Sequence, residues 1–257
     1  MVTLNTVTLD DSNGGTAPPL LIAHGLFGSA RNWGVLTKRL ADRGPVTAVD
    51  MRNHGASPWS DDHGYPALAG DLAATIAELP GGRADVIGHS MGGKAAMTAA
   101  LAHPDLVRRL IVADIAPVAY GHSQNHLIRA MREIDLSQVT RRSEADAQLA
   151  VHVTEAPVRA FLLQSLDVAG KCWTLNLDVL EAQMAQITGW HAPQGRFDGP
   201  ALFLSGEQSD YVTPAHHAAI KEQFPQATFQ SISGAGHWLH AERPREVESA
   251  VRTFLDG

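Results

Sequence analysis

The segment VIGHSMGGKAAM (86–97) contains two overlapping catalytic patterns. Read as G-x-S-x-G (88–92), it has the pattern of a tight strand-to-helix turn that exposes a serine nucleophile, here Ser90. Read as G-x-x-x-x-G-K (88–94), it has the pattern of a phosphate-binding loop. The first pattern predicts acyl-transfer chemistry, and the second predicts nucleotide binding.

The phosphate-loop interpretation has two weaknesses. The residue after the lysine of such a loop offers a hydroxyl to the bound magnesium ion, but this chain has Ala95 there. A phosphate-binding loop also relies on backbone N–H groups, so nothing in it would require a serine at position 90. We therefore favour the nucleophile interpretation.

A nucleophilic serine needs partners, and the sequence offers candidates in the expected order. A hydroxyl is a poor nucleophile at neutral pH, so a base must accept its proton and an acid must orient that base. On this type of turn the chain order is serine, acid, histidine. His237, in the glycine-rich segment SGAGHWLH, follows the last predicted strand and is the candidate base.

The oxyanion formed during attack on a carbonyl needs two backbone donors. The N–H of Met91, at the start of the helix after the serine, is one candidate. The loop HGLFGS (24–29) follows an early strand and offers the other, most plausibly the N–H of Leu26 with Phe27 as second choice.

Short apolar runs alternate with helical patterns along most of the chain. Near-continuous apolar runs are typical of buried parallel strands; they lie at 20–25, 46–50, 84–89, 109–114, 201–206 and 227–233. Helical spacing occurs at 32–42, 65–79 and 91–104, and the first ten residues indicate an antiparallel edge ribbon. This alternation predicts an α/β fold, a mostly parallel twisted sheet with helices on both faces.

The alternation stops between 116 and 198, where helical patterns recur without a convincing strand. Ile128, Met131 and Ile134 share one helical face there, and so do positions 180, 184 and 187. We expect residues 1–115 and 199–257 to form the core and 116–198 to form an inserted helical cap. Such an insert would lie over the carboxyl ends of the strands, where ligands bind in these folds.

Composition indicates an ordinary globular protein that acts on a small molecule. The 257 residues carry a formal net charge of −7, which disfavours nucleic acid and anionic membranes as partners. The single cysteine, Cys172, excludes an internal disulfide, and the pair at 216–217 lacks the spacing of a helical metal site. No secretion signal or membrane span is recognisable, so we expect a cytoplasmic location without cofactor or metal.

Five segments together resemble a known family. HGLFGS, DMRNHGASP, GHSMGGKAAM, DIAPVAY and AGHWLHAERP are similar to the small bacterial serine esterases of the α/β-hydrolase superfamily, whose mitochondrial relatives share them. The resemblance covers about 20–255. It implies the α/β-hydrolase fold and a cofactor-free serine esterase with a small cap. Such an enzyme hydrolyses short-to-medium acyl esters or acyl-CoA thioesters through an acyl-enzyme.

Two aspartates could orient His237. In most α/β-hydrolases the acid follows the strand at 201–206, three residues after its last glycine; that position is Ser209, with Asp210 next to it. In the esterases that this chain resembles, the Asp that opens the DIAPV segment serves instead, which corresponds to Asp114. Asp114 ends a strand one sheet position from the serine strand, so we favour it and keep Asp210 as the alternative.

Other residues near the motifs have ordinary structural explanations as well. Bracing of loops is the expected role of Arg52, Asn53, His54 and His24, and Lys94 is expected to be structural or solvated. Two roles fit four aromatic residues, either an apolar wall of the pocket or ordinary packing in the core: Phe27, Trp173, Trp190 and Trp238.

The same catalytic residues could also support C–C bond hydrolysis or perhydrolysis. A ligand-binding signalling protein of the same fold is the alternative outside the enzymes, since one fold supports many functions.

Overall fold

The computed structural model describes residues 1–12, 16–191 and 194–257. Its strands are β1 (Asn5–Leu9), β2 (Leu20–Ala23), β3 (Val46–Asp50), β4 (Ala84–His89), β5 (Val107–Ala113), β6 (Leu166–Asp167), β7 (Cys172–Trp173), β8 (Ala201–Gly206) and β9 (Ala227–Ile232). Its α-helices are α1 (Gly34–Leu40), α2 (Tyr65–Glu78), α3 (Met91–Ala102), α4 (Asn125–Arg132), α5 (Arg142–Leu149), α6 (Ala156–Leu162), α7 (Leu177–Ala182), α8 (Met184–Thr188), α9 (His217–Gln223), α10 (Leu239–Glu242) and α11 (Pro244–Asp256). Short 3₁₀ turns lie at Ala30–Trp33, Pro80–Gly82, Leu136–Gln138, Leu163–Ser165 and Pro214–His216.

Seven strands form one sheet in the order β1-β3-β2-β4-β5-β8-β9. Every neighbouring pair is parallel except β1 and β3, so the antiparallel edge expected from the first residues is confirmed. The six strands predicted from the sequence coincide with β2, β3, β4, β5, β8 and β9. The expected burial is wrong for β9, because it lies at the edge of the sheet and only Ala227 and Ile232 of it are buried.

The sheet separates two apolar layers. Alternate residues of one strand enter different layers, as the period of two requires: Leu20 and Ile22 pack into one, Leu21 and Ala23 into the other. Helices α1 and α11 cover the first layer, and α2 and α3 cover the second. Burial on both faces explains why these strands are apolar throughout rather than alternating with polar residues.

The register of β4 and β5 brings two chain segments side by side. Gly88 pairs with Val112, and His89 pairs with Ala113. The ladder extends one residue further, because the N–H of Ser90 donates to the carbonyl of Ala113 at 3.0 Å. The residues that follow these two strands therefore meet at the same edge of the sheet.

Helices α4 to α8 connect β5 to β8, in the region where helical patterns replaced the alternation. The structure differs from the expectation in two details. Strands β6 and β7 form a two-stranded antiparallel ribbon of two residues each, too short to give a sequence pattern. The helical face at 180–187 is divided between α7 and α8, because the backbone at Gln183 has φ −95° and ψ 6°. The core and cap boundaries at 116 and 198 stay a prediction.

Within the described residues, none of the helices combines the length and apolar character needed to cross a bilayer.

Candidate active site

Ser90 lies in a tight turn between β4 and α3. Its backbone has φ 52° and ψ −118°, in the positive-φ region that residues with side chains rarely adopt. A Cβ at Gly88 would lie 2.3 Å from the carbonyl oxygen of Gly92. A Cβ at Gly92 would lie 2.4 Å from the carbonyl oxygen of His24. Side chains do not fit at either position, so the two glycines permit the close crossing that presents the serine.

The Ser90 side chain is half-buried and lines a cavity of about 590 Å³. His237 lines the same cavity, and 23% of its side chain is exposed. Among the described residues, the Ser90 hydroxyl has no hydrogen-bond partner. The hydroxyl and the imidazole thus face one space without a hydrogen bond between them, which is common in enzymes without substrate.

Asp114 contacts the imidazole directly. Its carboxylate is fully buried, and Oδ2 accepts a hydrogen bond from Nδ1 of His237 at 2.7 Å. The backbone of Asp114 has φ 51°, and its N–H donates to the carbonyl of Leu204 on β8 at 2.7 Å. This strained strand end turns the carboxylate towards the loop after β9 that carries the histidine.

Two further donors hold the same carboxylate. The N–H of Gly206 donates to Oδ1 of Asp114 at 3.0 Å, and the hydroxyl of Ser209 donates to Oδ2 at 2.5 Å. Ser209 occupies the position where most α/β-hydrolases have the acid, and here it hydrogen-bonds the aspartate of the neighbouring strand. Asp210 is exposed, and in the described structure it makes no hydrogen bond to His237. Of the two candidate acids, the fold brings only Asp114 to the imidazole.

The contact with Asp114 fixes the tautomer of His237. Because Nδ1 carries the proton donated to the carboxylate, Nε2 is left as the acceptor that a general base requires. The ring of Tyr211 stacks on the imidazole with centroids 4.2 Å apart. On the backbone side, Nε2 of His89 donates to the carbonyl of His237 at 2.9 Å. The orientation of the imidazole therefore has support from three different segments.

The Tyr211 ring is itself held by the insert. The hydroxyl of Tyr120 donates to the carbonyl of Tyr211 at 2.6 Å and accepts from the N–H of Ala116 at 2.9 Å. The hydroxyl of Tyr211 lies 2.7 Å from Nε2 of His122. Sequence reasoning did not identify these tyrosines, because neither belongs to a catalytic pattern.

The candidate oxyanion donors lie where the sequence predicts them. Leu26 and Met91 both line the cavity, and in the described structure the N–H of Leu26 has no acceptor. Met91 is the first residue of α3, so its N–H has no partner within the helix. The second choice, Phe27, is excluded as a free donor because its N–H donates to Nε2 of His54 at 3.2 Å.

Two histidines support the loop that carries Leu26. Nδ1 of His54 donates to the carbonyl of Arg52 at 2.9 Å, which leaves Nε2 to accept from Phe27. Nδ1 of His24 donates to the carbonyl of Gly25 at 2.8 Å, and its Nε2 accepts from the backbone of Met51 at 2.9 Å. Both rings are buried with both nitrogens occupied, so they brace the loop as expected.

Burial keeps these rings neutral. It lowers the pKa of His24 to about 4, and it lowers the pKa of His54 well below its ordinary value, where the neighbouring rings of His24 and His63 contribute too. Arg52 and Asn53 also have bracing roles. Arg52 forms a buried ion pair with Asp71, with Nε 2.6 Å from Oδ2.

The walls of the cavity are mostly apolar and come largely from the insert. Apolar side chains line it at Leu26, Phe27, Met91, Ile115, Leu127, Val153, Val158, Phe161, Ile187 and Trp238. Of the four aromatic residues that could form the wall, Phe27 and Trp238 are present. Trp173 and Trp190 instead donate to the carbonyl of Met131 and to the side chain of Gln223. These two pack with the apolar core, which is the other role that the sequence left open for them.

Of the two roles expected for Lys94, structural or solvated, the structure supports the structural one. Lys94 is 1% exposed, and it lines the cavity four residues after Ser90. Its ammonium group donates to the carbonyls of Thr188 and Gly189, so its role is at least structural. Both carbonyls lie at the end of α8 and not in the turn at Ser90. Burial lowers its pKa to about 7.

Metal binding has no visible basis here: in the described part of the chain, histidines, cysteines and acidic residues form no group of three or more that could hold an ion.

Comparison with known proteins identifies the family. The model of the alpha/beta hydrolase fold matches residues 18–244. The sn-1-specific diacylglycerol lipase ABHD11 of Mus musculus is 41% identical over 250 residues, which are 93% of this chain and 81% of that protein. Esterase YbfF of Escherichia coli (strain K12) is 41% identical over 240 residues, 93% of each chain. Among solved structures, a marine microorganism esterase superposes with a TM-score of 0.92 at 38% identity, covering 99% of this chain and 100% of that one. The chain therefore belongs to the α/β-hydrolase family, and within that family it is a serine hydrolase that acts on esters.

Proposed function

We propose that Ser90, His237 and Asp114 are the catalytic triad of an esterase that forms an acyl-enzyme. The observation that carries the proposal is the 2.7 Å hydrogen bond from Nδ1 of His237 to Oδ2 of Asp114, in the wall of the cavity that Ser90 also lines. This bond leaves Nε2 as a base towards the cavity. The backbone donors Leu26 and Met91 are the proposed oxyanion hole.

The reaction begins with transfer of the Ser90 proton to Nε2 of His237 as Oγ attacks the carbonyl carbon of the substrate. The electron pair of the carbonyl moves to its oxygen, which accepts hydrogen bonds from Leu26 and Met91. When the carbonyl reforms, the alcohol or thiol leaves with the proton from the imidazolium. Asp114 stabilises the imidazolium between these two proton transfers without taking the proton itself.

Hydrolysis of the acyl-enzyme repeats these steps with water. His237 removes a proton from the water as it attacks the ester carbon, and the same backbone groups hold the second oxyanion. Collapse breaks the bond to Oγ of Ser90, which recovers its proton from the imidazolium. The acid product is released, and no cofactor enters the proton balance.

The cavity suggests the substrate class. Its volume of about 590 Å³ lies in the range of small-molecule sites, and its apolar walls favour a hydrocarbon acyl chain. We propose short-to-medium acyl esters or thioesters as substrates. The names of the relatives, a diacylglycerol lipase and an esterase, agree with acyl ester substrates. The cytoplasmic location stays a prediction.

Covalent labelling tests the nucleophile. We expect a fluorophosphonate to label the folded protein at Ser90, as read by peptide mass spectrometry, and to leave Ser90→Ala unlabelled. A panel of p-nitrophenyl esters from acetate to decanoate, with the matching acyl-CoA thioesters, should show saturable turnover with an optimum chain length. Labelling at another residue would contradict the assignment. A single slow acylation without turnover would instead favour a ligand-binding protein of the same fold.

A further inference from the structure

Lys94 places an ammonium group in the wall of the acyl cavity. Its Nζ donates to the carbonyl of Thr188 at 2.8 Å and to that of Gly189 at 2.6 Å, at the end of α8. The ring centroids of Tyr120 and Tyr65 lie 4.9 and 5.8 Å from Nζ. An ammonium group has three hydrogens, so one has no oxygen or nitrogen acceptor in the described structure.

The charge of this group also lacks a counterion. In the described structure, Lys94 forms no ion pair with a carboxylate, although its side chain is 1% exposed. Buried charges in proteins are normally paired, since loss of hydration is costly. The groups beside it do not supply a negative charge: burial raises the pKa of Tyr65 and Tyr120, and His122 is neutral or cationic. The carboxylate of Glu155 lines the same cavity, but in the described structure it forms no ion pair with Lys94.

Capping of α8 explains part of this arrangement. Lysine side chains commonly bind the last carbonyls of a helix, and this contact ties the insert to α3. Capping accounts for two of the three ammonium hydrogens of Lys94. It does not explain why a cation lines a cavity whose walls are otherwise mostly apolar. A neutral donor or an apolar residue would line such a cavity at lower desolvation cost.

The position of Lys94 relates the charge to the reacting serine. The N–H of Lys94 donates to the carbonyl of Ser90 at 3.0 Å, so the lysine follows the serine by one turn of α3. An acyl group bound to Oγ of Ser90 therefore begins one helical turn from the lysine. A short chain suffices to bring its far end to Nζ, beside Ile187 and the two tyrosine rings.

We propose that Lys94 is a specificity residue that binds the free carboxylate of a short dicarboxylic acyl group. The favoured substrates would be monoesters or monothioesters of dicarboxylic acids with a backbone of about four carbons. This inference rests on the proposed esterase function. The carboxylate would supply the missing counterion and accept the remaining ammonium hydrogen, and the low-dielectric wall would strengthen the ion pair.

Two substrates of similar shape test the proposal: monomethyl succinate and methyl 4-methylpentanoate, whose isopropyl group replaces the carboxylate. The measured quantity is the ratio of kcat/KM for the anionic ester to kcat/KM for the neutral ester, by pH-stat. We expect Lys94→Met to lower this ratio at least tenfold relative to the wild type, and Lys94→Arg to retain more of it. Lys38→Met, which removes an exposed lysine on α1, should leave the ratio unchanged.

The wild-type protein provides a second measurement if the Lys94 variants do not fold. Because burial lowers the pKa of Lys94 to about 7, the ratio should fall as pH rises from 6.5 to 9. Any effect of pH on the chemical steps that the two esters share cancels in the ratio. Glu155 and the histidines that line the cavity are unchanged in Lys94→Arg, so any pH dependence that they cause would persist in this variant. We expect the ratio for Lys94→Arg to be flat over this range.

A ratio that is unchanged in Lys94→Met, or flat with pH in the wild type, would overturn the role of Lys94 and leave capping of α8 as its function. If the neutral ester is still hydrolysed in either of these two cases, the proposed esterase function stands. Failure to hydrolyse any ester of the panel would count against the proposed function itself.

Discussion

Replacement of Asp114 by asparagine tests the candidate triad most directly, because the hydrogen bonds around the carboxylate determine which way an amide must turn. The N–H of Gly206 donates to Oδ1, while the hydroxyl of Ser209 and Nδ1 of His237 both donate to Oδ2. An asparagine that keeps its oxygen towards Gly206 presents its NH₂ group to the serine and the histidine. The hydroxyl can rotate and accept, but the imidazole must then accept at Nδ1 and carry its proton on Nε2.

That tautomer cannot remove the proton from Ser90, and comparable loss of a triad acid lowers kcat about 10⁴-fold, or about 5.5 kcal/mol. The amide can also flip, which restores the useful tautomer but points its NH₂ at the N–H of Gly206. A buried unsatisfied donor costs about 1–3 kcal/mol, so the active form would still be a fraction of about 1–20%. The flip would therefore limit the loss of kcat in Asp114→Asn to about 5- to 100-fold, and without it the loss would reach about 10⁴-fold.

The assay is kcat for p-nitrophenyl butyrate, with circular dichroism to verify that the variants are folded. Asp210→Asn is the matched control, because it makes the same chemical change at an exposed side chain in the loop after β8. We expect it to stay within about twofold of the wild type, as surface changes usually do. Nearly full activity in Asp114→Asn, together with a large loss in Asp210→Asn, would refute the assignment of the acid.

Two further predictions concern stability. Gly88→Ala should lower the free energy of unfolding by about 3 kcal/mol or more, because its Cβ would lie 2.3 Å from the backbone oxygen of Gly92. In the control Gly34→Ala the new Cβ meets nothing within 4 Å, so this change should be neutral or stabilise the protein by up to about 1 kcal/mol. Equal urea midpoints for the two variants would contradict this prediction. Stability should also fall with acidification from pH 6.5 towards 4, because burial lowers the pKa of His24 and of His63 to about 4. In this window the unfolded chain binds protons that the folded chain does not, at up to about 1.4 kcal/mol per pH unit for each histidine, so a urea midpoint independent of pH would contradict the burial of neutral rings.

The sheet and the serine turn could be predicted because both depend on local chemistry. Strands buried on two faces must be apolar throughout, which makes runs such as that of β4 recognisable without a partner. The turn at Ser90 requires glycine two residues to each side, because a Cβ at Gly88 or Gly92 would clash with a backbone carbonyl. His237 was identified as the candidate base by its place after the last predicted strand.

The choice between Asp114 and Asp210 depended on information that local sequence does not carry. Both residues follow a strand, and either pattern fits a loop at the edge of the sheet. The decision comes from the pairing of β5 with β8, which brings Gly206 and Ser209 to the carboxylate of Asp114. The resemblance to small esterases favoured Asp114, the residue that contacts the imidazole in the structure, but spacing alone left both open.

Long-range contacts also explain what the sequence left open. It could not decide between a structural and a solvated role for Lys94, because the acceptors of this side chain, at Thr188 and Gly189, are more than ninety residues away in the chain. The stacking of Tyr211 on His237 depends in the same way on Tyr120, which holds its backbone from the insert. Contacts of this kind leave no periodic signal in the sequence.

The histidines around the site show why residue type alone does not assign a role. Catalysis needs one imidazole that can become charged, and only His237 has a carboxylate on one nitrogen and the cavity on the other side. His24 and His54 use both nitrogens for bracing, and burial disfavours their protonation. The ring of His89 lies beside that of His237, with centroids 4.7 Å apart. The pKa of His89 is well below its ordinary value; burial is the main cause, and the neighbouring His237 contributes. A second cation at that distance would repel the imidazolium and weaken the base, so the neutrality of His89 favours proton transfer to His237.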